Sequence, residues 1–102
     1  MRRGTTPTFI ITVKRDLSGW RVYVIISGGS CPLTISDDRF TEKTAEGGKT
    51  TIKFTLTQKE TLSFPPGTAE VEVRAVKHGT ALASRIKKID VERVLIGGEI
   101  YE

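Results

Sequence analysis

The sequence predicts an all-β fold, an antiparallel sandwich of about seven short strands, on three observations. β-Branched residues dominate: 14 Thr, 10 Ile and 8 Val stand against 5 Ala and 6 Leu, and branched side chains fit a pleated surface better than a helix. Several segments alternate apolar and polar residues with a period of two. Turn signals separate these segments at intervals of about 8 to 12 residues, the spacing of a sandwich. The 102 residues suit one domain, and 37% hydrophobic residues suffice for a modest core. Residues 1–7 are expected as an N-terminal arm and 97–102 as a C-terminal tail.

Taken in order, Thr8–Val13 is aromatic and β-branched throughout, and Lys14–Gly19 follows as a run of polar and glycine breakers. Trp20–Ile26 alternates, with Trp20, Val22, Val24 and Ile26 on a core face. Ser27-Gly28-Gly29-Ser30-Cys31-Pro32 marks a reversal, and a short strand, Leu33–Ser36, comes next. Asp37–Lys49 has no apolar period and is expected as an exposed loop or a weak edge hairpin. Thr50–Thr57 resumes alternation, with Ile52, Phe54 and Leu56 inward. Thr57-Gln58-Lys59-Glu60 has the spacing of a capping box and predicts at most one short helical turn near 58–62, from which Leu62 and Phe64 drop into the core. In Ala69–Val76, Ala69, Val71, Val73 and Ala75 point inward, and Lys77-His78-Gly79-Thr80 is a hairpin turn. Ala81–Ile96 fits either a helix or a strand; the strand reading is preferred and requires a one-residue slip, supplied by a β-bulge at Arg85–Lys88. Such a series is that of an immunoglobulin-like sandwich without its disulfide, with a small closed barrel as the alternative.

Sixteen Lys and Arg against twelve Asp and Glu leave a formal charge of +4, dispersed rather than gathered into a basic stripe. The single cysteine, Cys31, rules out an intrachain disulfide and a cysteine metal cluster and points to a reducing compartment. The apolar run Phe9–Val13 is too short for a signal-peptide core or a membrane span. His78 is the only histidine and sits in a turn, so no nucleophile–base pair can be assembled. Asp37-Asp38 lacks the frame of a calcium loop, and the glycine doublets lack the Gly-Lys-Ser/Thr ending of a phosphate cradle. No catalytic residue, cofactor or metal is expected, and no membrane partner. An alternative function, binding of single-stranded nucleic acid, needs exposed aromatics among cations, and only Tyr23 near Arg21 offers this.

Short strings along the chain are similar to small tail-associated or baseplate-associated virion proteins of phages and prophages. They are Arg3–Thr8, Asp16–Trp20 with Val22–Val24, Leu56–Phe64, Val71–Arg74, and Ala83-Ser84 leading to Val91–Leu95. The chain also resembles the immunoglobulin-like N-terminal module of phage baseplate upper proteins. The resemblance implies a non-enzymatic structural protein of a tail, neck or baseplate, made in the bacterial host cytoplasm and carried in the virion. Its expected partners are other virion proteins or copies of itself. Arg2 and Arg3 on an arm lying across a neighbour, and Tyr23, Phe40 and Tyr101 as exposed aromatics, are the candidate interaction residues; strand addition at a sheet edge is the expected mode of joining.

Overall fold

The structure, a computed structural model, describes residues 1–29, 32–95 and 97–102. Ser30 and Cys31, within the reversal read over 27–32, and Ile96, at the end of the ambiguous stretch, lie outside the described residues. The described strands are β1 (Thr8–Val13), β2 (Arg21–Ser27), β3 (Leu33–Ser36), β4 (Glu42–Glu46), β5 (Lys49–Thr55), β6 (Gly67–Lys77), β7 (Thr80–Ala83) and β8 (Lys87–Val91). A 3-10 turn, Asp37–Arg39, and one short helix, α1 (Gln58–Leu62), complete the order.

The strands form two antiparallel sheets. One runs β1-β5-β4 and the other β3-β2-β6-β7, with β8 continuing beside β6 past the end of β7. In immunoglobulin lettering these orders are B-E-D and C′-C-F-G, so the sandwich is immunoglobulin-like in topology as well as in layering. Inward residues from both sheets make one core. Val22, Val24 and Ile26 of β2, Ile52 and Phe54 of β5, and Leu56 just beyond are wholly buried, and Val73 and Ala75 of β6 nearly so. Each large apolar side chain so removed from water contributes about 1.5–3 kcal/mol. Phe54 stacks on Phe9, its cross-strand partner, with ring centroids 5.3 Å apart.

The stretch Ala81–Val91 is strand, broken once. Arg74 faces Ala83 and Val71 faces Lys87, so β6 advances three residues while its partner advances four. The slip lies at Ser84–Ile86, at the start of the segment expected to bulge. There the Val73 N–H donates to the Ser84 hydroxyl at 2.9 Å, a side-chain oxygen standing in for a ladder carbonyl. The Asp37–Lys49 stretch is the edge hairpin of the two forms expected, built on β4 and β5. Its Gly47-Gly48 turn and the His78-Gly79 turn between β6 and β7 both hold two successive residues at positive φ. These are the mirror-image turns whose twist matches that of paired strands.

Three expectations need correction. β2 begins at Arg21, leaving Trp20 half-buried before it. Leu17, read as part of a breaker run, is 2% exposed and belongs to the core. Its loop is held by Thr50, wholly buried, whose hydroxyl accepts from the Leu17 N–H and donates to the Arg15 carbonyl, each at 2.8 Å. After α1, Phe64 enters the core as expected, but Thr61 is buried in place of Leu62, donating its hydroxyl to the Thr5 carbonyl at 2.9 Å. The capping box forms in full: Thr57 accepts from the Glu60 N–H and the Glu60 carboxylate from the Thr57 N–H.

Two tests follow from these ties. Thr50→Val keeps the volume but orphans the Leu17 donor and the Arg15 acceptor, so denaturant titration should record a loss of about 1–3 kcal/mol, while Thr50→Ser retains most of it. Glu60 receives two guanidinium nitrogens of Arg39 at 2.8 Å each; that pairing, with the Thr57 N–H, holds its carboxyl at about 2, below its ordinary 4.5. The folded state thus binds this proton less readily than the unfolded chain. The stabilisation is present above pH 4.5 and fades as pH falls toward about 2. Glu60→Gln should flatten that part of the acid limb and cost at most about 1 kcal/mol at neutral pH, because the amide oxygen can still accept from the Thr57 N–H and only the charge paired with Arg39 is lost.

Candidate interaction site

Period-two alternation places Arg21, Tyr23, Ile25 and Ser27 of β2 on the outer face of the five-stranded sheet. The register sets Val76, Arg74, Glu72 and Glu70 of β6 beside them in turn. Tyr23 is central, with Arg74 on one side and Ser36 of β3 on the other. The Arg21 Nε donates to the Tyr23 hydroxyl at 2.8 Å, and its guanidinium carbon lies 5.8 Å from the ring centroid. The bulge turns Ile86 outward, 56% exposed, and Val76 is 41% exposed. Ile25, Ile86, Ser27, Val71, Glu70 and Glu72 line a shallow groove of about 270 Å³. The acids Glu70 and Glu72 therefore lie toward one end of this face and the cations Arg74 and Arg21 toward the other, with Ile25 and Tyr23 between. That arrangement suits a protein surface better than a phosphate backbone, which calls for cations alone.

The opposite flank is different in character. Where β1 and β7 edge the two sheets, Val13, Leu17, Val73, Ala75 and Leu82 line a cleft of about 100 Å³. Phe9, Ile11 and Val13 point toward the core yet stay half-exposed, whereas Ile52 and Phe54 on the neighbouring strand are wholly buried. The sheet ends at β1, and its inward side chains are covered on one side only. On the far flank Asp37 spans the sheets: its Oδ2 accepts from the Val22 N–H at 2.8 Å, and Lys43 of β4 lies 3.3 Å from Oδ1.

The residues singled out from sequence fall in separate settings. The N-terminal arm lies on its own chain: Arg2 bridges in parallel with Glu92, the Arg3 N–H donates to the Glu92 carbonyl at 3.1 Å, and the Arg3 guanidinium donates to the Leu62 carbonyl at 3.0 Å. Arg2 is exposed and Arg3 half-buried, so the arm is a strap joining β8 to α1. Phe40 is half-buried against Phe54, 6.1 Å between centroids, and serves the core instead of standing exposed. Tyr23 is half-buried on the outer face, and Tyr101 is 82% exposed in the tail. A hydrogen bond from the Tyr101 hydroxyl to Glu99 raises the pKa of the phenol. His78 is an exposed turn residue. Among the described residues no three His, Cys, Asp or Glu side chains are grouped as metal ligands. Ile86 and Ile10, the latter 65% exposed at the middle of β1, are surface residues that sequence reasoning did not single out. For Ile10 the strict alternation of Thr8, Ile10, Thr12 with Phe9, Ile11, Val13 carries the signal.

No protein-family model matches the chain, and no curated protein matches it.

Among the described residues, one side chain, Gln58, hydrogen-bonds to the tail backbone. The Gln58 amide donates to the Ile100 carbonyl and accepts from the Ile100 N–H, each at 2.8 Å, imitating a strand pair. Gln58→Ala should free the tail: amide exchange at Ile100 should rise by about tenfold or more while β5 and β6 stay protected, read by NMR.

Proposed function

We propose that this chain is a non-enzymatic assembly module of a phage or prophage particle, a tail, neck or baseplate component that acts by touching other virion proteins or copies of itself. Two things support the reading: the similarity of its strings to small virion proteins, and an immunoglobulin-like sandwich. The observation that carries it is the outer face of the five-stranded sheet. There Ile25 and Ile86 share a groove with Glu70 and Glu72, and Tyr23 beside Arg74 and Arg21 lies next along the face, a small apolar patch flanked by charge. Recognition of this kind uses a few central anchors, with the charged rim setting orientation.

The test is incorporation. In a lysogen carrying the gene, the chain should co-sediment with purified particles in fixed stoichiometry to other structural proteins. Ile86→Asp combined with Tyr23→Ala should leave it folded and largely in the soluble fraction. Particles that assemble and infect normally without the gene, or a chain found only in soluble extract, would overturn the reading. Binding to single-stranded oligonucleotide that falls steeply with salt would favour the nucleic-acid alternative instead.

A further inference from the structure

The five described edges of the two sheets are not equally guarded. β3 and β7 are each only four residues long. β4 carries Glu42, Lys43 and Glu46. β8 carries Lys87, Lys88 and Asp90 and is continued by the N-terminal strap at Glu92. Each of these is a recognised way of blunting an edge. β1 has none of them: Thr8-Phe9-Ile10-Ile11-Thr12-Val13 holds no charge and no proline over six residues.

The free side of β1 can be specified atom by atom. The Leu56 N–H donates to the Pro7 carbonyl at 3.0 Å, and the β1–β5 register continues from that pair. Antiparallel bonding alternates along a strand, so Phe9 and Ile11 turn their backbone groups toward β5. The N–H and C=O groups of Thr8, Ile10 and Thr12 therefore face outward.

We propose that this edge joins a second copy of the chain, β1 to β1, across a two-fold axis at Ile10. In that register Ile10 faces Ile10 of the other copy, Thr8 faces Thr12, and Phe9 faces Ile11. The strand is self-complementary about this point: Thr, apolar, Ile, apolar, Thr. Every outward backbone group of Thr8, Ile10 and Thr12 finds a partner, about six main-chain hydrogen bonds in all. Threonine meets threonine and isoleucine meets isoleucine on the outer face, both favourable cross-strand pairs. No like charges are opposed, because Lys14 falls opposite Thr6. The inward Phe9, Ile11 and Val13 gain the cover that the sheet's end denies them, and the result is a continuous six-stranded sheet, β4-β5-β1-β1-β5-β4. A two-fold contact of this kind closes on itself and stops at two copies. This deepens the assembly reading and rests on it only for the contact's biological purpose.

Sedimentation velocity on the full chain from about 1 μM to about 1 mM, where mass action reveals a weak dimer, tests it. A monomer–dimer equilibrium is expected. Ile10→Lys puts two ammonium groups on the axis and should weaken the dimer by about tenfold or more, while Thr44→Lys, on the opposite edge strand of the same sheet, should not change it. Ile10 is 65% exposed, so the lysine should not unfold the monomer, and far-UV circular dichroism checks this. Should it unfold, Ile10→Cys with Cys31→Ser decides: mild oxidation should trap a disulfide-linked dimer. A monomer at the highest concentration, or a dimer indifferent to Ile10→Lys, overturns the contact. That result leaves incorporation into particles to its own test. Equally, a chain that dimerises through Ile10 but stays out of particles refutes the particle role and not the contact.

Discussion

Everything in this molecule depends on the facing of two inward stripes, one on β2 and β6 and the other on β5 and β1. Phe54 is where they close. It is wholly buried, stacked on Phe9 along its own sheet and flanked by Phe40, which arrives from the crossing segment after β3. A chain of 102 residues has room for one such centre. Because side chains alternate with a period of two, the contact at Phe54 dictates the register of both its neighbours. A one-residue slip of β5 would turn Ile52 and Phe54 to water and bring Lys53 into the core.

Around that apolar centre, backbone groups left without a ladder partner are met by side chains. Thr50 closes the loop that carries Leu17 inward, Thr61 anchors the arm at Thr5, and Ser84 bridges the slip between β7 and β8. All three are hydroxyls, small enough to sit in the layer and able to donate and accept at once. Asp37 does the corresponding work between sheets by capping the start of β2 while drawing in Lys43 from β4. The polar ties thus lie at the places where regular pairing stops, which is where an apolar residue would leave an orphan donor or acceptor.

Much of the fold was legible because it is written in period two. The core faces of β2, β5 and β6 are those the alternation assigns, and the capping box at Thr57–Glu60 and the turn at His78-Gly79 form where local chemistry places them. What escaped is what no local pattern records. Leu17 is core because Thr50, distant in sequence, holds its backbone; Phe40 is core because the hairpin folds it onto Phe54. The arm looked free, since nothing in Met1–Pro7 announces a partner, yet it pairs with Glu92 at the far end of the chain. The surfaces fared worse than the core for the same reason. Tyr23 was found by its alternation, but Ile86 is outward only because the bulge adds a residue before it.

The strap also explains why one edge is left open. In a sandwich of this topology the chain before strand B has two courses: alongside that strand, lengthening its sheet, or across to the other sheet. Here Pro7 still bonds to Leu56, after which the chain crosses the flank and reaches β8, where Arg3 and Met1 pair with Glu92. Arg3 fixes the crossing by donating to the Leu62 carbonyl at the end of α1. Covering β8 in this way leaves β1 without a neighbour. A single choice of path therefore protects a charged edge that charge already guards and exposes an uncharged one. Stability of the monomer alone does not call for that trade, because an uncharged edge with half-covered phenylalanine and isoleucine invites pairing. It is a coherent arrangement if the pairing is the point, with β1 neutral and self-matching for a strand that arrives from outside.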